Sequence, residues 1–118
     1  MDNRPKTYLL DLDGTLVKHV TCSKSCRPDY KLELLPGTLE KLEEWELKGS
    51  KIIITTGRKE AMRIITEKQL SEVGIFFDLL IMGIGGGERV LVNDKKPDGK
   101  LGASCYNLER DKGISDLE

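Results

Sequence analysis

Tyr8-Leu9-Leu10-Asp11-Leu12-Asp13-Gly14-Thr15-Leu16-Val17 is the stretch on which the reading of the whole chain turns. An apolar run ends on an aspartate, a second aspartate follows two residues later, and a glycine lets the chain turn. A short apolar run bounded by turn residues predicts a buried strand of a parallel sheet. A carboxylate at the carboxyl end of such a strand faces the crevice where open α/β sheets bind their ligands. Two carboxylates this close repel unless a cation lies between them. Mg²⁺ suits that position, because it takes oxygen ligands and leaves room for phosphate oxygens. The plainer alternative is that Asp11 and Asp13 only shape a turn, Asp-Gly being a common turn pair.

On the amino-terminal side, Met1-Asp2-Asn3-Arg4-Pro5-Lys6 contains no apolar segment of signal-peptide type, and no run in the chain approaches membrane-spanning length. A soluble, cytoplasmic protein without membrane partners is expected. The 118 residues fit one domain, 1–118, with room for a core but not for a second lobe. With 19 basic and 20 acidic residues the charges nearly cancel, so there is no general attraction to nucleic acid.

On the carboxyl-terminal side, residues 18–35 are rich in Ser, Cys, Pro and Lys, a composition and length expected of a lid or flap whose few apolar side chains are Val20, Tyr30 and Leu32. Within it, His19, Cys22 and Cys26 could supply three zinc ligands, with Cys105 as a distant fourth. Structural zinc sites ordinarily bring two ligand pairs, and one pair is missing here. An odd cysteine count also argues against a disulfide framework, so free thiols are expected.

Pro36-Gly37-Thr38 opens a helix with Leu39, Leu42 and Trp45 on one face, and Gly49 ends it. Lys51 to Arg58 reads as a second strand, covered on both faces and ending in Thr56-Gly57-Arg58. A helix over about 59–73 follows, with Ala61, Met62, Ile65, Leu70 and Val73 on its apolar half. Leu79 to Met82 is a third strand. Gly83-Ile84-Gly85-Gly86-Gly87 is no P-loop, since no Gly-Lys-Ser/Thr closes it; it is a turn, or a place where backbone passes close to a ligand. Val90-Leu91-Val92 is expected as a fourth strand leading to Asp94 and Asp98, and 103–107 as a fifth, before a polar tail over 109–118.

Strands alternating with helices predict a doubly wound, Rossmann-like α/β fold with right-handed crossovers. In a parallel sheet the carboxyl ends share one edge. Asp11 and Asp13, Thr56, and Asp94 and Asp98 therefore converge, although Thr56 could be only a helix cap and Asp98 only a turn residue.

Taken together these residues resemble the haloacid dehalogenase (HAD) superfamily of phosphotransferases. Its first motif stands here as Asp11-Leu12-Asp13-Gly14-Thr15, its second as Ile52 to Thr56, and its acidic fourth as Asp94-Lys95-Lys96-Pro97-Asp98. The third, a basic residue before the fourth strand, is matched by Arg89, with Lys68 and Lys96 as alternatives. More loosely, the chain is similar to small members without a cap domain that are associated with sugar and capsule biosynthesis. The resemblance implies a phosphatase that hydrolyses a small phosphomonoester such as a sugar phosphate. Asp11 would be the nucleophile, forming an aspartyl-phosphate, and Asp13 the acid and then the base. Thr56 and Arg89 would stabilise the phosphoryl group. Gly57 and Arg58 would meet substrate, unless Arg58 pairs instead with an acid such as Glu60. Mg²⁺ would be held by Asp11, the backbone carbonyl of Asp13, Asp94 and Asp98.

Two other readings stay open. A phospho-accepting receiver would need an acid at the third strand, where Gly83 stands. A degenerate HAD-like domain would bind metal or a partner without turnover. With no cap domain to shield the chemistry, a homo-oligomer that covers each site from a neighbouring chain is expected.

Overall fold

The computed structural model describes residues 3–118. Strand β1 (Thr7–Asp11) leads through a single helical turn, α1 (Cys22–Ser25), to helix α2 (Thr38–Leu47). Strand β2 (Lys51–Thr55), a 3₁₀ turn at Glu60–Met62, helix α3 (Arg63–Glu72) and strand β3 (Leu79–Ile81) follow. The strands form one parallel sheet in the order β1-β2-β3, with Asp11 beside Thr55 and Thr55 beside Ile81. The expected Rossmann-like parallel α/β fold is the one observed.

The crossovers explain where the core lies. Both connections, β1 to β2 and β2 to β3, step the same way across the sheet. Right-handed crossovers therefore put α2 and α3 on the same face. Burial agrees. Leu10, Ile52, Ile54 and Leu80 on that face join Leu42, Trp45 and Leu70 in one cluster. On the opposite face Leu9, Leu79 and Ile81 are exposed. The sheet was expected to be covered on both sides, and in this structure it is covered on one.

Helix α2 stops where its sequence says it should. Gly49 N–H donates to Glu46 and Ser50 N–H to Trp45, with Gly49 in the left-handed region, which is a glycine-terminated helix end. Tyr8 stacks on Trp45 at 3.8 Å between ring centroids.

Residues 18–35 depart from a featureless lid. The stems pair, with Lys18 N–H donating to Glu33 and Leu35 N–H to Leu16, so the segment is a pinned flap. Leu32, one of the few apolar side chains expected of a lid, is buried in the core because this pairing turns it inward.

The largest departure is carboxyl-terminal. The expected fourth and fifth strands do not form: Val90, Leu91 and Val92 are 73%, 63% and 87% exposed, and 103–107 are irregular. A three-residue run after a glycine-rich link has few ladder bonds of its own, and among the described residues no strand pairs with it to supply the rest. In their place a small turn is closed by a bridge between Lys95 and Leu101. The arm 85–108 is followed by a tail that is polar in composition but well anchored. Ile114 is buried, its N–H donates to Pro36, and Asp111 N–H donates to Gly14. Gly113 is left-handed there, and a Cβ on it would lie 2.3 Å from the Pro36 carbonyl oxygen.

Candidate active site

Three apolar side chains hold the loop after β1. Leu12, Leu16 and Val17 are fully buried, and the Leu12 carbonyl accepts from Thr15, Leu16 and Val17 N–H groups. Burying alternate positions leaves Asp11, Asp13 and Thr15 on the other side, at the carboxyl end of the sheet. Asp11 is exposed, and one of its carboxylate oxygens accepts from the Thr15 hydroxyl at 3.3 Å.

Asp13 is committed to Arg58. Nε donates to Oδ2 at 3.0 Å and Nη2 to Oδ1 at 2.8 Å, a two-pronged ion pair in which the side chains are only 23% and 10% exposed. Such geometry fixes the plane of both groups. The remaining nitrogen, Nη1, donates to Gln69 Oε1 at 2.7 Å and Thr66 Oγ1 at 3.3 Å. Gln69, itself buried, then donates from Nε2 to the Ser25 carbonyl at 2.8 Å and the Arg27 carbonyl at 3.4 Å. A continuous chain of polar contacts thus runs from α1 in the flap through α3 to Asp13.

Thr56 is buried at the end of β2, and its hydroxyl oxygen accepts from Arg58 N–H at 3.1 Å. Its own hydroxyl proton is still available to donate. Gly57 leaves space that a side chain would take from the Ile84 carbonyl, which a Cβ would meet at 3.1 Å. The structure thus brings Asp11, Asp13, Thr56, Gly57 and Arg58 to one edge.

It does not bring Arg89, Asp94 or Asp98 there. Arg89 donates to the nearby Gly87 carbonyl, and Asp98 accepts from Lys100 N–H at 3.0 Å, acting as a turn residue. Among the described residues no three His, Cys, Asp or Glu side chains gather closely enough to hold a metal ion. Asp11 fits part of a Mg²⁺ site, as one carboxylate with room for water and phosphate oxygens. Asp94 and Asp98, expected as further ligands, stand outside it because the strand meant to carry them does not form. The third-motif alternatives lie elsewhere too: Lys68 pairs with Glu72 on α3, and Lys96 lies in the arm.

Arg58 turns inward to Asp13, and its suggested partner Glu60 pairs instead with Arg63. Sequence reasoning missed Thr66 and Gln69. The available signal was a pair of polar residues three apart on the buried face of α3, which needs a polar partner to be tolerated there.

No family model and no curated protein sequence matches the chain. Among solved structures, it is similar to a chain of the Pnkp1/Rnl/Hen1 complex, with 30% identity over 73% of this chain and a TM-score of 0.57. A second structure, of the Pnkp1/Rnl/Hen1 RNA repair complex, gives 31% identity over 72% and the same score. The chain spans 30% and 28% of the length of those two matches. A protein from Vibrio cholerae is 21% identical over 75% of this chain and 79% of its own, with a TM-score of 0.53. What these likenesses share with this chain is the fold.

Proposed function

We propose that the chain is a HAD-type phosphomonoester hydrolase, the exposed Asp11 carboxylate attacking phosphorus and forming an aspartyl-phosphate. The observation that carries this reading is the Asp11–Asp13–Thr56 edge: an exposed carboxylate, a second carboxylate held beside it, and a hydroxyl able to donate. Aspartate is ionised at neutral pH, so the nucleophile needs no base. Asp13 would protonate the leaving oxygen and then activate water, releasing one of its Arg58 contacts to do so. Mg²⁺, when bound, would offset negative charge on the phosphoryl oxygens. Asp11 and the Asp13 carbonyl would hold it. Asp94, with Asp98 near it, would join when the arm lays Val90–Val92 along the free edge of β1, and Arg89 would travel with them.

A small sugar phosphate is the proposed substrate. The likeness to the RNA repair complex favours one other phosphomonoester, a phosphate at an RNA end. The distance of Arg89, Asp94 and Asp98 from the edge favours a second reading, a domain that binds phosphate or metal without turnover. Phosphate release from sugar phosphates and from 3′- and 5′-phosphorylated RNA, with Mg²⁺ and with chelator, separates the three. Chelator-sensitive release supports the hydrolase and its substrate class. Silence across the panel supports the binding domain. Cover for the intermediate would come from a neighbouring copy, and light scattering across a dilution series tests for that copy.

A further inference from the structure

One polar feature of the flap plays no part in the hydrolysis. Cys22 opens α1 and Cys26 caps its carboxyl end one turn later, with their sulfurs 3.2 Å from each other, one exposed and one half-buried. We propose that they are a redox modification site, a dithiol that closes to a disulfide and, through Ser25, Gln69 and Arg58, resets Asp13. The second half of this proposal rests on the hydrolase reading, because it gives Asp13 a task.

The geometry supports both halves. Residues four apart on a helix have Cα atoms about 6 Å apart, inside the range that disulfides span. Their Cβ atoms, about 5 to 6 Å apart, must close to about 4 Å when the bond forms. Oxidation therefore deforms α1, which is only four residues long. The Ser25 carbonyl sits inside that turn, and Gln69 reads it at 2.8 Å. Gln69 also fixes Arg58, which holds both oxygens of Asp13. No flexible side chain on the surface interrupts this route.

The chemistry needs an oxidant, and a small disulfide such as glutathione disulfide serves. One cysteine thiolate attacks a sulfur of glutathione disulfide, expelling a glutathione thiolate and leaving a mixed disulfide. The second cysteine thiolate attacks the protein-bound sulfur and expels the second glutathione. Two protein thiols are oxidised to one disulfide, glutathione disulfide is reduced to two thiols, and the protons pass to them. The hydrogen bond with Cys22 holds the Cys26 thiol above its ordinary range, so closure should accelerate as pH rises. A disulfide that deforms its helix is readily reduced again, as a switch requires.

Cys105, the third thiol, is exposed and is removed first as Cys105→Ser. That protein is titrated with glutathione disulfide. Free thiols are counted, mass is measured, and the Arg58 Nε–H resonance and phosphate release are followed. The expected result is loss of both remaining thiols without a retained glutathione, and a shifted Arg58 resonance. Phosphate release should fall about tenfold, as expected for a misplaced catalytic group, and recover with dithiothreitol. Added Cys22→Ser should abolish closure and the resonance shift. Unchanged thiols or a lasting glutathione adduct would overturn the modification site. Closure with an unmoved Arg58 resonance would overturn the relay. If the reduced protein releases no phosphate from any substrate, the hydrolase reading fails, while thiol count and resonance still decide this inference.

Discussion

Residues 7–82 and residues 85–108 obey different rules, although both contain apolar runs with β-branched residues. In the first region every run has a partner: β1 pairs with β2, β2 with β3, and their inward side chains meet α2 and α3. In the second, Val90-Leu91-Val92 is as strand-like in composition as Leu79-Leu80-Ile81, yet stays exposed and unpaired. Strand propensity is a fit to a half-buried surface, and without that surface it specifies little. Stability therefore belongs to 7–82 together with the tail that buries Ile114, and the exposed arm adds little to it.

Of the substitutions that set the two regions against each other, Asp13→Asn has the largest expected effect, a loss of about 10² to 10⁴ in turnover, the range typical of a general acid-base group. Asp94→Asn should raise the Mg²⁺ concentration needed for half-maximal turnover about 10- to 100-fold, because arm closure would bring Asp94 to the metal, while leaving the melting curve unchanged. A melting shift in Asp94→Asn would break the division between the regions.

Core and arm can also be compared directly. Leu42→Ala, at a fully buried position, should cost about 2 to 5 kcal/mol. Leu91→Ala, at a 63% exposed one, should stay within about 0.5 kcal/mol. Urea unfolding of the pair checks this, and equal losses would refute it. Arg58→Ala should cost about 2 to 3 kcal/mol, because Asp13 and Gln69 lose their partner in a largely buried place. Arg58→Lys should rescue little, since an ammonium cannot serve both of them at once.

The smallest effect concerns pH. Burial first, and Glu44 second, raise the Tyr8 hydroxyl above its ordinary value of 10.0. A raised value leaves stability untouched below the unfolded value and removes it as pH climbs through the folded one. Thermal unfolding above pH 10 should therefore destabilise the parent more than Tyr8→Phe.

How far the sequence could be read follows from the same contrast. β1, α2, β2, α3 and the carboxylate edge were legible because local pattern and tertiary partner agree there. Periodicity could not show that Val90–Val92 lacks a partner strand. Nor could it show that Leu32 turns into the core, which depends on the pairing of Lys18 with Glu33. Arg58 was visible as a charge near Thr56, but its direction is set by Asp13, Thr66 and Gln69, residues up to 45 positions away.

The claim on which the rest depends is that Asp11, at the end of β1, carries the phosphoryl group. Parent and Asp11→Asn are mixed with an aryl phosphate and Mg²⁺, quenched during turnover, and analysed by peptide mass spectrometry alongside phosphate release. The account predicts a phosphorylated peptide containing Asp11 in the parent. In the variant it predicts neither phosphopeptide nor turnover, a loss of about a thousandfold or more with the fold intact. Turnover by Asp11→Asn near the parent rate would contradict it.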